Sequence, residues 1–148
     1  IRAAFVAEPG CKLIIADYGQ LEMRLMAEAS GDENMVSGIC AGKDMHSYTA
    51  ALMMKIPYEE FLARKESGDE AASQTRQAAK AVGFGIIYGV AAKKLSEDLT
   101  ETLGRTVTQV EGQKYLDDYL KAFPGVKDQI LWFQRQAKKY GYVQTRRL

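Results

Sequence analysis

Two basic side chains one helical turn apart, followed by two aromatics at the same spacing, occupy the run Arg76-Gln-Ala-Ala-Lys80-Ala-Val-Gly83-Phe84-Gly85-Ile-Ile-Tyr88-Gly89. At about 100° per residue, Arg76, Lys80, Phe84, Ile87 and Tyr88 share roughly a third of a helix's circumference. A core-facing stripe would be apolar throughout. This one runs from two cations to two aromatics, and so suits a ligand that is anionic at one end and flat at the other, as a nucleotide is. A buried helix whose first Arg and Lys snorkel to solvent would give the same pattern. Gly83, Gly85 and Gly89 add weight to the first reading, because each costs about 1 kcal/mol relative to Ala in a helix interior. Such a cost is offset where another backbone or a ligand must come close.

A second chemical signal precedes it. In Lys12-Leu-Ile-Ile-Ala-Asp17-Tyr18-Gly19-Gln20-Leu21-Glu22-Met23-Arg24, the apolar run Leu13 to Ala16 is short and partly β-branched, and it ends at an acid. That composition predicts a buried strand, with Asp17 leaving its end towards a cleft. An Asp after an apolar run also serves as a turn or cap residue. From Gln20 onward, Leu21, Leu25 and Met26 predict a helix, with Glu22 on a different face.

The elements that must position these residues are mostly helical. Ser30-Gly31-Asp32 breaks the chain, and a short helix is expected over Asn34 to Cys40. Asp44 suits the N-cap of a helix from Met45 to Lys55, and Pro57 opens a segment Tyr58 to Arg64. Past the polar connection Glu66 to Glu70, the cation-bearing helix is expected over Ser73 to Tyr88. Ser96 begins a brief helix that Gly104 stops. Thr108-Gln-Val-Glu111 is a capping-box pattern for a helix reaching Ala122. A last amphipathic helix, with Val126, Ile130, Trp132 and Phe133 as its apolar residues, ends near Tyr140 with Gly141 at C′. Tyr115, Tyr119, Trp132 and Phe133 are read as core. The expected class is mainly α with a short β contribution (α+β).

Composition narrows the chemistry. Cys11 and Cys40 have neither metal-ligand spacing nor disulfide-scaffold density. A single histidine argues against a His-based zinc site, and any metal would need oxygen ligands, which suits Mg²⁺. No run of 18 apolar residues is present to span a membrane. Net charge is +1, but its distribution is uneven. Between Lys127 and Leu148, six basic residues face the single acid Asp128. Such a tail is either a solvated helix face or a contact for phosphates. The chain opens without Met and ends on Arg146-Arg147-Leu148, and it is read as an internal piece of a longer protein.

Asp17-Tyr-Gly-Gln-Leu-Glu-Met-Arg24 resembles motif A of the family-A DNA polymerases, whose pattern is Asp-Tyr-Ser-Gln-Ile-Glu-Leu-Arg. Arg76 to Gly89 is similar to motif B of that family, and Gly42-Lys-Asp44-Met-His46 resembles its Gly-Lys-Asp-Ile-His segment. Ile1-Arg-x-Ala-Phe5 and Gly141-Tyr-Val-Gln-Thr145 also look like family sequence, so the resemblance spans essentially the whole chain. Gly19 departs from the usual Ser, Gly83 stands where a bulkier or polar residue is common, and the end lacks residues that usually precede Gly-Arg-Arg.

The resemblance implies fingers plus adjoining palm segments of a right-hand polymerase: 1–30 as palm with motif A, 31–124 as fingers with motif B, and 125–148 as a helix returning to the palm. It implies template-directed transfer from dNTP to a primer 3′ hydroxyl by two Mg²⁺ ions. Asp17 and the carbonyl of Tyr18 would be metal ligands, and Lys80 a proton donor to the leaving pyrophosphate. Gln20, Glu22, His46, Arg76, Lys80, Phe84 and Tyr88 would line the dNTP site. Within it Glu22 would act as the steric gate and Phe84 would pack on sugar and base. Tyr88, Gly89, Arg146 and Arg147 would meet template DNA. The second metal carboxylate of the family is not in this chain, so the fragment alone is expected to be inactive. The implied partners are primer-template DNA and dNTP, with no membrane, in a monomeric larger chain in a bacterial or phage-infected cytoplasm, an organellar source remaining open. Two other readings are a binding module that keeps the fold without the chemistry, and a helical scaffold whose cationic face binds a free nucleotide.

Overall fold

The structure, a computed structural model, describes residues 4–144. Eight α-helices follow one another: α1 (Leu21–Ser30), α2 (Glu33–Cys40), α3 (Met45–Met54), α4 (Tyr58–Glu66), α5 (Glu70–Ile87), α6 (Ala92–Leu103), α7 (Gln109–Ala122) and α8 (Pro124–Tyr140). Local chemistry explains several of the boundaries. Asp69 accepts from the free N–H groups of Ala71 and Ala72 at the start of α5, and Thr108 and Glu111 form the complete capping box at α7. Gly141 ends α8 at φ 76°, which a residue without Cβ adopts at no steric cost.

The α+β expectation is overturned. All regular structure among the described residues is helical, with no strand. Leu13, Ile14 and Ile15 are exposed, Ile14 by 91% and Ile15 by 90%. A strand exists only where a neighbour completes its hydrogen-bond ladder. Among the described residues nothing pairs with this run, so its β-branched composition has no sheet to join.

Helix α5 is the centre of the body, packing against α1, α3, α4, α6 and α7. Its small residues make that possible. Ala72 and Ala79 join Ala50, Ala51 and Phe61 of α3 and α4 in one apolar cluster. Ala78, Val82 and Ile86 join Met23, Leu95, Leu99, Tyr119 and Phe123 in the larger one. Gly83 is buried where α1, α5 and α7 meet: a Cβ there would stand 3.6 Å from Met23 Sδ and from Tyr119 Cε2. The Tyr119 hydroxyl lies 3.9 Å from the same sulfur.

A separate clamp ties the body's ends together. Asp32 is buried and accepts from Met35 N at 3.0 Å, capping α2, and from Gly125 N at 2.8 Å, at the start of α8. Asn34 Nδ2 donates to Ala122 O at 2.9 Å beside it. A Cβ on Gly125 would meet the Asp32 Cα at 2.9 Å, so the clamp requires glycine there. Helix α8 packs on α1 and α7. Trp132, expected in the core, is 46% exposed, and Phe133 is only half-buried. Of the four aromatics expected inside, Tyr119 alone is fully buried and Tyr115 is half-buried.

Candidate functional site

Three elements meet around one carboxylate. Asp44 stands at the N-cap position of α3, but its side chain makes no cap bond. Gln20, in the left-handed conformation just before α1, takes that role: its Oε1 accepts from Met45 N at 3.3 Å, and its Nε2 donates to Asp44 Oδ1 at 3.1 Å. The other oxygen, Asp44 Oδ2, accepts from Ser47 Oγ at 2.6 Å and from Arg76 Nε and Nη2 at 3.0 and 2.8 Å. Arg76 Nε also donates to Ser47 Oγ at 3.0 Å. The segment that carries Asp17 is thereby joined to the cation-bearing helix through a single residue.

Burial on its own would raise the Asp44 carboxyl, but the hydrogen bonds from Ser47 and Arg76 and the Arg76 charge outweigh it. They hold the group down at about 2. Asp44 is therefore a permanent anion at neutral pH, already saturated by donors.

His46, one position into the same turn of α3, is half-buried and faces α5. Its ring lies 5.9 Å from that of Phe84, tilted by 46°, and its Nδ1 is buried without a hydrogen-bond partner among the described residues. Burial lowers its pKa; Asp44 opposes the shift, and Arg76 and Lys80 reinforce it. The imidazole thus sits beside the Arg76 and Lys80 charges, with one ring nitrogen enclosed and unpartnered.

The fold accordingly brings together Gln20, His46, Arg76, Lys80 and Phe84, all expected at the site. Lys80 is exposed one turn beyond Arg76, and Phe84 is half-buried. Tyr88 caps α5 and is 69% exposed, with Gly89 exposed beyond it in the left-handed region. Glu22 is half-buried in the first turn of α1. Asp17 and Tyr18 are exposed and precede α1 outside any regular element. Arg146 and Arg147 lie outside the described residues. Asp44, Ser47 and Tyr58 join this network without having been expected there: Asp44 has the local pattern of a cap, and the guanidinium that claims its carboxylate is 32 positions away.

A carboxylate and a backbone carbonyl are hard oxygen donors that suit Mg²⁺, so Asp17 and Tyr18 fit such an ion by type. They form only part of a donor set. Among the described residues no cluster of three or more His, Cys, Asp or Glu side chains could hold a metal.

The family model for DNA polymerase family A matches residues 1–147. The chain belongs to DNA polymerase family A. Among curated proteins, this family A chain is 35% identical over 145 residues to the thermostable DNA polymerase I of Thermus aquaticus, covering 98% of this chain and 16% of that protein. It is 37% identical over 145 residues to DNA polymerase I of Pseudomonas aeruginosa, covering 98% of this chain and 14% of that one. A solved structure described as the POL domain of Pol1 from M. smegmatis, in complex with DNA primer-template and dNTP, is also similar. Its TM-score is 0.69 and its identity 29%, over 88% of this chain and 20% of that one. The family A chain thus spans about a sixth or less of the curated relatives it matches here.

Proposed function

We propose that this chain is the fingers and adjoining palm segment of a DNA-directed DNA polymerase, which transfers nucleotides from dNTP to a primer 3′ hydroxyl under template direction. The observation that carries this reading is the Gln20–Asp44–Arg76 connection, which draws the motif A segment and the motif B helix to one place. In this reading 1–30 and 125–148, whose helices α1 and α8 pack together, belong to the palm and 31–124 to the fingers, although α1 also packs on α2 and α5.

In this reading the triphosphate lies along Arg76 and Lys80, the first as a fork and the second as a point charge. His46 offers its neutral ring to a phosphate oxygen. Lys80 supplies a proton to the leaving pyrophosphate. Phe84 packs on the sugar and base. Glu22 occupies the space that a ribose 2′ hydroxyl would need, and rejection follows from excluded volume and an unpaired buried polar group. Tyr88 and Gly89, exposed past the end of α5, face the template, and the basic residues of the tail, Arg146 and Arg147 included, meet DNA phosphates. Two Mg²⁺ ions, with Asp17 and the Tyr18 carbonyl among their ligands, would activate the 3′ hydroxyl and neutralise charge on the leaving group. This chain provides one metal carboxylate and does not extend a primer alone. In this reading the enzyme is a monomer of the cytoplasm. No helix among the described residues is long and apolar enough to cross a membrane.

The test is primer extension by the full-length polymerase that carries this segment. Asp17→Asn should cut extension by roughly 100-fold or more without changing the melting of the protein, since Asp17 is exposed. Undiminished extension would remove Asp17 from the chemistry, and no extension by the unaltered full-length protein would remove the polymerase reading.

A further inference from the structure

A guanidinium offers two planar edges to an anion: a side edge made of Nε and one terminal nitrogen, and an end edge made of both terminal nitrogens. In this structure the side edge is taken. Nε and Nη2 of Arg76 converge on Asp44 Oδ2, and Nε is shared with Ser47 Oγ. Nη1 and the second Nη2 proton, the end edge, are left over, on a side chain that remains 31% exposed.

Asp44 is itself held from several sides. Gln20 occupies Oδ1 and Ser47 occupies Oδ2. The Asp44 backbone N–H donates to the Tyr58 hydroxyl at 3.1 Å. Its neighbour Lys43 is drawn off the site, its Nζ resting 4.6 Å from the centre of the Tyr48 ring and 4.9 Å from that of Tyr58. A carboxylate so constrained is a fixed anchor rather than a surface partner for a flexible Arg.

We propose that Asp44 is a positioning residue for nucleotide binding: it grips Arg76 by the side edge so that the end edge is preset for the triphosphate. Through Gln20 it sets the start of α1, and with it the Asp17 segment, against the same anchor. This rests on Arg76 as a triphosphate ligand, the reading given above. An unanchored Arg would have to be ordered by the nucleotide itself, at the cost of its rotamer freedom.

The experiment is single-nucleotide incorporation by the full-length polymerase carrying this segment, with KM for dNTP and kcat measured separately. Asp44→Asn should raise KM by about tenfold while kcat changes by less than about threefold. Added to Arg76→Ala, it should raise KM no further, because the anchor then has nothing to hold. Asp44→Glu, which keeps the charge, should recover part of the loss. A fall in KM in Asp44→Asn would mean that the carboxylate competes with the triphosphate for Arg76, and would overturn the proposal. A fall in kcat with KM unchanged would mark a merely structural role and would also overturn it. If Asp44→Asn does not fold, Ser47→Ala removes one acceptor from the side edge and should raise KM by a smaller factor; no rise overturns the proposal. An unchanged KM in Arg76→Ala alone is a different failure, which sinks the triphosphate reading itself.

Discussion

Ile14 and Ile15 lie almost wholly open to solvent, whereas Tyr119 and Phe61, no more apolar, are completely buried. The first pair belongs to residues 4–20, which form no extended regular element, and the second to the helical body built around α5. The proposed chemistry is divided along the same line. The metal carboxylate, Asp17, is on the open segment, while Arg76, Lys80, Phe84 and His46 sit on helices fixed by packing. Within the body a side chain's direction is decided by what surrounds its helix. Just before α1, Gln20 bonds to Asp44 and Met45, and the Gly19 carbonyl accepts from Arg24 Nε at 3.2 Å, so the position of Asp17 relative to the cations depends on a few hydrogen bonds.

Truncation of packed side chains separates the regions most strongly. Tyr119→Ala should destabilise the folded chain by about 3–5 kcal/mol through the cavity it leaves, read from denaturant unfolding. Ile14→Ala should stay within about 0.5 kcal/mol. Equal losses would mean that residues 4–20 pack as firmly as α7, and the contrast would fail.

Within the body itself, two glycines should differ in sign. Gly125→Ala drives a methyl into the Asp32 backbone, which cannot yield as a side-chain end does, and should cost about 1–3 kcal/mol. Gly83→Ala adds a methyl at ordinary contact distance from Met23 and Tyr119, and should gain up to about 1 kcal/mol of helix propensity. Denaturation midpoints of the two variants decide it; destabilisation by Gly83→Ala would show that the junction of α1, α5 and α7 has no room.

The smallest effect is in pH. Asp44 is held below its ordinary 3.8, at about 2. The folded state therefore binds fewer protons than the unfolded chain between those values, and the Asp44 contribution, complete above about 3.8, is lost as pH falls through about 2. His46 acts at higher pH with the same sign: its folded pKa lies below 6.5, so its share is complete above 6.5 and declines as pH falls. Urea midpoints followed downward from neutral pH should fall in two stages, and Arg76→Met should weaken the lower one. A midpoint that rises on acidification would reverse the assigned sign.

What the sequence determined by itself lies within a few residues of its cause. The Thr108–Glu111 box, the glycine stop at Gly141 and the helical stripe from Arg76 to Tyr88 were legible because helix caps and helix faces are settled by neighbours three or four positions away. The motif residues were legible as types and spacings for the same reason. The tertiary structure alone decided which partner each polar group finds. Gln20 reaches Asp44 over 24 positions, Arg76 reaches it over 32, and Asp32 reaches Gly125 over 93. It also decided that Leu13 to Ala16 is no strand and that Trp132 stays half in water, since β-branched content and apolarity become a sheet or a core only when another element covers them. A carboxylate at an N-cap position cannot announce from its neighbours that a guanidinium elsewhere will claim it.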